Sequence, residues 1–348
     1  MGLDFIKNYG GRRLVGGSSL PDQFGTPANA EDENQKIQLD IEYAPDSWSA
    51  MTVLMTDHWR PGEWDFSPER FVDGKDVGQV IAWLKSPQGF PVPIRLSQVG
   101  GVAMRIKDGD IRREFFQMDQ VLSMPVDAFP ADEIESFALA LQAQGLRLLP
   151  ATVMKPEYHM NYDQMQGIVD QRTRLEMLTL EEYAIAQDAG IPTVVDGALD
   201  MHAGGFDKDH HPVFGVIKRH SRSYLHLTGQ KILYSLQAGE RTPAFVLRRE
   251  QRPALLTWYV KLNDEVGLRP DSGYVRVEIT YDWFIAQKLD WNFADRLSRV
   301  LYEYRCRQKS YSRVDVSLIP IVRAEESLGS VFHPESRVYQ RFFHVTDI

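Results

Sequence analysis

The sequence predicts an α/β fold: a mixed sheet, antiparallel at first, with flanking helices and additional C-terminal strands. Three observations predict it. Strand-like runs rich in β-branched residues fill Phe71 to Met118, apolar residues then recur at helical spacing between 132 and 188, and short buried-looking strands return from Thr193 onwards. Strands, then helices, then strands again are the order of a sheet with helices packed on it.

The elements follow in order. Residues 1–35 are rich in Gly, Asn, Asp and Pro and predict a loose arm, leaving 36–348 as a single domain. Phe71 to Leu84 and Val92 to Ile106 are the first two strands. A third, Ile111 to Met118, follows the turn Lys107-Asp108-Gly109-Asp110, which makes the pair a hairpin. From Asp132, the residues Ile134, Phe137, Ala138 and Leu141 give a helix that Gly145 closes. A longer helix covers Tyr162 to Asp188, ended by Gly190-Ile191-Pro192. Strands then follow at Thr193 to Leu199, Val213 to Arg219, Ala244 to Arg248, Leu255 to Leu262 and Tyr274 to Thr280, with an amphipathic helix over Phe293 to Arg307.

Composition narrows the class of protein. With 348 residues, 43% of them hydrophobic, the chain can bury a sizeable core. A single cysteine, Cys306, rules out an internal disulfide and a cysteine zinc cluster, as suits a reducing compartment. The first 25 residues lack the apolar core of a signal peptide, and no stretch reaches the length of a membrane span, so a cytoplasmic location is expected. The net charge of −9 argues against coating DNA by bulk electrostatics and leaves any phosphate binding to local patches. Two such patches exist: Lys218, Arg219, Arg222 and Lys231 with His220 and His226, and Arg296, Arg299, Arg305, Arg307, Lys309 and Arg313.

The tripeptide Val-Asp-Gly occurs twice, at Val72-Asp73-Gly74 and Val195-Asp196-Gly197, both times in a strand context. Carboxylates on rigid strands are competent ligands for a hard cation, and a following Gly lets a bulky group approach. Asp-Gly is also among the commonest turn dipeptides, so either copy alone has a plainer explanation. The helix before Asp196 offers Glu176, Glu181 and Glu182 as a further acid, of which Glu176 is preferred, although helix glutamates mostly serve solubility. Asp207-Lys208-Asp209-His210-His211 is a polar turn to which no role is assigned, and Glu278, in Val275-Arg276-Val277-Glu278, suits a solvated strand edge. There is no Walker-type phosphate loop, dinucleotide fingerprint or nucleophilic triad; Gly100-Gly101 and Gly204-Gly205 lack the required spacing.

A sheet that opens with an acid on its first strand and carries a second acid on a strand after a helix resembles the plan of ribonuclease H-like nucleases. The order Phe71-Val72-Asp73-Gly74, Val195-Asp196-Gly197-Ala198-Leu199, Gly215-Val216-Ile217-Lys218, Gly239 to Phe245, Thr257 to Leu262 and Val275 to Glu278 resembles, more narrowly, the bacterial branch of the NurA nucleases, over about Phe71 to Glu326. That resemblance implies a metal-dependent deoxyribonuclease using Mn²⁺ or Mg²⁺, working on DNA as a homodimer with a HerA-like hexameric ATPase, in repair or antiviral defence. It implies metal binding by Asp73 and Asp196, with Glu176 as the candidate helix ligand. The family's last motif, Tyr-Pro-Tyr-Pro followed by an apolar segment ending in Ala-His or Ala-Asp, corresponds to Ser317 to Glu325. Here both tyrosines are absent and Glu325 stands where His or Asp is usual. Two cations shared by Asp73, Asp196, Glu176 and Glu325 would serve hydrolysis, with Lys218 reaching a phosphate or the developing charge. Phe5, Ile6, Leu14 and Val15 offer apolar groups for docking on the motor. The rivals are a noncatalytic ribonuclease H-like adaptor, favoured by the missing tyrosines, and a PIWI-type binding module, for which the chain has little room.

Overall fold

The computed structural model describes residues 2–13, 38–53, 61–153, 161–188, 190–199, 202, 211–218, 224–249, 252–264, 272–307 and 316–347. Its strands are β1 (Arg12–Arg13), β2 (Gln38–Ile41), β3 (Met51–Thr52), β4 (Arg70–Lys85), β5 (Pro91–Lys107), β6 (Asp110–Pro125), β7 (Arg147–Ala151), β8 (Thr193–Asp196), β9 (Val213–Ile217), β10 (Glu240–Arg241), β11 (Phe245–Arg248), β12 (Leu255–Lys261) and β13 (Tyr274–Thr280). The helices are α1 (Phe5–Asn8), α2 (Ala131–Gln142), α3 (Tyr162–Ala186), α4 (Leu227–Ser235), α5 (Tyr281–Ala286), α6 (Asn292–Glu303), α7 (Ile319–Val331) and α8 (Glu335–Thr346).

One mixed sheet runs through the described residues in the order β2-β11-β12-β13-β9-β8-β4-β5-β6-β7. The antiparallel trio β4, β5 and β6 is joined to β8 and β9 through parallel pairing of β4 with β8 and of β8 with β9. The β5–β6 turn has left-handed backbone at both central residues, Asp108 (φ 55°) and Gly109 (φ 81°), with Lys107 paired to Asp110. That twist matches the flanking strands, so the hairpin register is set locally. Helix α3 begins on Asn161, whose side-chain oxygen accepts from the amides of Asp163 and Gln164 at 3.1 Å each.

Alternation along the central strands divides the core in two. Phe71 of β4, Val194 of β8 and Val216 of β9 face the large cluster of Trp258, Val277 and Leu297, whereas Val72 and Val195 pack with Ala184 and Ile185 of α3. Helix α7 crosses the sheet on the side opposite α3. The consecutive glycines of β5 record both contacts: a Cβ on Gly101 would lie 2.9 Å from the carbonyl carbon of Leu180 on α3, and one on Gly100 would lie 2.9 Å from the ring of Phe332 just beyond α7. Gly100-Gly101 therefore serves close packing of helices on both faces.

The structure departs from the sequence-based expectations in several places, among them the unexpected helices α4, α5, α7 and α8. The supposed loose arm is packed over residues 2–13: Phe5 and Ile6 are buried, Phe5 stacks on Phe137 at 4.7 Å, and Arg12 and Arg13 pair with Trp83 and Ala82 of β4. Phe5 and Ile6 are thus part of the protein's own core; residues 14–37, with Leu14 and Val15, lie outside the described residues. Strand β6 runs on to Pro125 and takes β7 as a parallel neighbour, an element whose Leu-Leu-Pro-Ala sequence gives little strand signal. Strand β8 ends at Asp196 rather than Leu199. Finally, Glu278 is fully buried, because β13 lies inside the sheet between β12 and β9 and not at an edge.

Candidate metal centre

Three adjacent strands converge on one spot. Val72 pairs with Val195 and Asp196 with Val216, so Asp73, one residue past its pair, sits beside Asp196, and Lys218 follows β9 on the same face as Val216. The fourth group arrives from far along the chain, as Glu325 on α7, the helix packed on this side of the sheet. One ligand oxygen from each of Asp73, Asp196 and Glu325 lies within 4.8 Å of the others. Lys218 spans two of these acids, with Nζ 2.7 Å from Oδ2 of Asp196 and 3.2 Å from Oε1 of Glu325.

Exposure grades across the site. The Asp73 residue is 7% exposed, and the side chains of Lys218, Asp196 and Glu325 are 9%, 18% and 33% exposed, so the cluster opens to solvent on the Glu325 side. Burial, then the charge of Asp196, pushes the Asp73 acid well above the usual carboxylate range, with only Lys218 acting the other way. Burial alone would lower the Lys218 ammonium, but Asp196, Glu325 and Asp73 outweigh it and hold the group above its ordinary value. A buried carboxylate facing two others is unfavourable unless a cation joins them.

The chain after Asp196 is held closely. Gly197 has left-handed backbone (φ 154°), and a Cβ on Gly215 would come within 2.8 Å of the Gly197 carbonyl oxygen, so both glycines are needed for this crossing. Further on, the amide of Leu199 donates to Oε2 of the buried Glu278 at 3.3 Å, and Arg276 donates to Oε1 at 2.7 Å. The Arg-Glu alternation that suggested a solvated edge is an internal ion pair beneath this loop.

The helix glutamates separate clearly. Glu176, the preferred candidate, is not brought to the cluster: Oε1 accepts from Arg147 at 2.6 Å and Oε2 from Arg172 at 3.1 Å. Five residues further on, about 140° around the helix, Glu181 is the acid that reaches the centre's back. Its Oε1 lies 2.4 Å from where a Cβ of Gly74 would be, and its Oε2 is hydrogen-bonded to Nε2 of His202 at 2.9 Å. Burial raises the Glu181 acid against the opposing hydrogen bond and charge of His202, and the charge of Asp196 adds to the rise. Glu182 is buried on the same helix but is not among the three converging acids. His202 carried no sequence signal, lying in a Gly-rich loop with no motif; Asp207 to His210 lie outside the described residues.

Several members of the basic patches have local partners. Arg299 pairs with Glu303 one turn on, Arg305 stacks over Tyr302 at 3.6 Å, and Nδ1 of His226 accepts from the Gly229 amide at the start of α4. Residues 219–223 and 308–315 lie outside the described residues. No described helix is long and apolar enough to cross a membrane.

Comparison with known proteins leaves the site to speak for itself. No family model matches the sequence, and no curated protein matches it either. Among solved structures the chain is similar to the crystal structure of the NurA nuclease from Sulfolobus solfataricus, with 11% sequence identity, coverage of 81% of each chain and a TM-score of 0.34. A likeness at that level carries no argument about activity or ligands.

Proposed function

We propose that the protein is a divalent-metal-dependent phosphodiesterase acting on DNA, of the NurA type and built on a ribonuclease H-like plan. The observation that carries the proposal is the buried Asp73 facing Asp196 and Glu325 with ligand oxygens within 4.8 Å of one another. The donor set fits a hard cation: it is all oxygen, rigidly mounted on two strands and a helix, and open on one side. When bound, Mn²⁺ or Mg²⁺ would polarise a phosphodiester and lower the barrier to attack by water. Asp73, Asp196 and Glu325 would hold it, while Lys218 keeps Asp196 and Glu325 oriented. Glu181, held by His202, supports the β4 backbone at Gly74 from behind. The sheet order β6-β5-β4-β8-β9, with the two aspartates on the neighbouring strands β4 and β8, supports the ribonuclease H-like assignment.

A homodimeric assembly with a HerA-like ATPase in the cytoplasm completes this proposal, resting on the motif resemblance alone. One observation favours a noncatalytic adaptor instead: Lys218 already pairs with two of the three acids. Incubation of linear DNA with the protein and Mn²⁺, with and without a HerA-type partner, separates the two. Digestion that Asp73→Ala and Asp196→Ala both abolish supports the nuclease. Digestion surviving both substitutions refutes the site, and no digestion in either condition supports the adaptor.

A further inference from the structure

The Lys218 ammonium lies inside the acid cluster, not at its rim. Its distances to Asp196 and Glu325, 2.7 and 3.2 Å, are those of charge-assisted hydrogen bonds, and its side chain is 9% exposed. A site that holds two divalent ions sets them about 3.5–4 Å apart and needs acids on the outer side of each. Among the described residues, the acids that would flank a second ion on this side are Asp196 and Glu325, and Lys218 bridges both.

Charge and geometry agree. Three carboxylates and one ammonium leave two negative charges, the complement of a single divalent ion. Glu181, a further acid acting on Asp73, approaches from the α3 face and is held by His202. Oxygens about 2.1 Å from one Mg²⁺-sized ion lie at most about 4.2 Å apart, so closing a trio that spans up to 4.8 Å onto one ion needs a movement of only about half an ångström.

Resting on the metal-binding role proposed above, we infer that the centre takes one divalent cation per chain and that the Lys218 ammonium fills the place a second cation would need. Lys218 is then a positioning residue: it fixes Asp196 and Glu325 and sets the metal stoichiometry.

The test is titration of Mn²⁺ into metal-free, full-length protein by isothermal calorimetry, with electron paramagnetic resonance to detect coupling between paired ions. The wild type is expected to bind one Mn²⁺ per chain without a coupled-pair signal. Lys218→Met, close in shape but uncharged, is expected to bind two and to show the coupled signal; Lys218→Arg is expected to stay at one. Two ions in the wild type, or one in Lys218→Met with a native circular dichroism spectrum, would overturn the inference while leaving metal binding intact. If Lys218→Met does not fold, the wild-type and Lys218→Arg stoichiometries still decide. Absence of Mn²⁺ binding by the wild type overturns the metal-binding role itself.

Discussion

Replacing Asp73 by Asn should stabilise the metal-free protein while destroying its response to metal. At 4.8 Å and an effective dielectric of about 20, two unit charges interact by about 3.5 kcal/mol. Asp73 faces three like charges, Asp196, Glu181 and Glu325, and one opposite charge, Lys218; with Glu181 hydrogen-bonded to His202, roughly one repulsive pair is left unbalanced. Discounted for the one-third exposure of Glu325, removal of the charge is expected to stabilise the metal-free state by about 1–3 kcal/mol. With an unfolding entropy of about 2.1 cal/mol/K per residue over 348 residues, that is a rise in Tm of roughly 1.5–4 °C in chelator. Wild-type protein with Mn²⁺ at a hundredfold excess over Kd should gain about 2.7 kcal/mol, or about 4 °C. Asp73→Asn should gain none, so the order of stability reverses when metal is added. The pH dependence has a definite sign. Because burial and then Asp196 raise the folded-state acid, the native metal-free chain binds this proton more tightly than the unfolded chain. Stability therefore falls as pH rises from about 4, the unfolded value, through the raised folded one, and that slope should flatten in Asp73→Asn. Scanning calorimetry in EDTA and in Mn²⁺ at several pH values makes the check. A variant less stable than wild type in EDTA, or one that keeps the Mn²⁺ shift, would refute the reasoning.

Three further outcomes are expected. Glu176→Gln should leave Mn²⁺ affinity within about twofold and lower stability by about 1 kcal/mol, since its partners Arg147 and Arg172 are partly exposed; a lost Mn²⁺ isotherm would reinstate Glu176 as a ligand. Gly101→Ala should cost about 1–3 kcal/mol, more than Gly100→Ala, because the new methyl meets the Leu180 backbone in the first case and movable ends of Phe332 and Leu328 in the second; chemical denaturation that ranks them the other way contradicts the packing argument. Arg241→Met should cost about 3–5 kcal/mol, because the fully buried guanidinium neutralises Glu42 and Asp295; a thermal melt within 1–2 °C of wild type would show that these acids find other partners.

Much of the fold was legible because its determinants are local. The Asp108-Gly109 turn fixes the long hairpin, Gly145 and Gly190-Ile191-Pro192 mark helix ends, and β-branched runs mark β4, β5 and β13. Features set by distant contacts were not legible. Phe5 and Ile6 are buried by α2 and β5, and β7 is a strand because β6 offers it a parallel edge. Glu278 is internal because β9 covers β13. The site divides along the same line. Asp73, Asp196 and Lys218 stand next to apolar strand residues whose alternation fixes their face, whereas Glu325, on a helix that periodicity did not mark, was reached only through the motif resemblance. The choice among Glu176, Glu181 and Glu182 depends on how far α3 is rotated against the sheet. That rotation is set by Leu180 against Gly101 and by the close approach of Glu181 to Gly74, contacts that no single segment encodes.

Asp73 and Glu325 meet across one strand and one helix, yet they are 252 positions apart in the chain. At about 5–20 residues per second, a ribosome needs roughly 13–50 s after making the first acid to supply the last. The centre is therefore assembled late in synthesis, and a nascent or prematurely terminated chain lacking α7 carries only two of its three acids. If the protein cuts DNA, that delay is a built-in safeguard: incomplete copies released into the cell arrive without the full set of ligands.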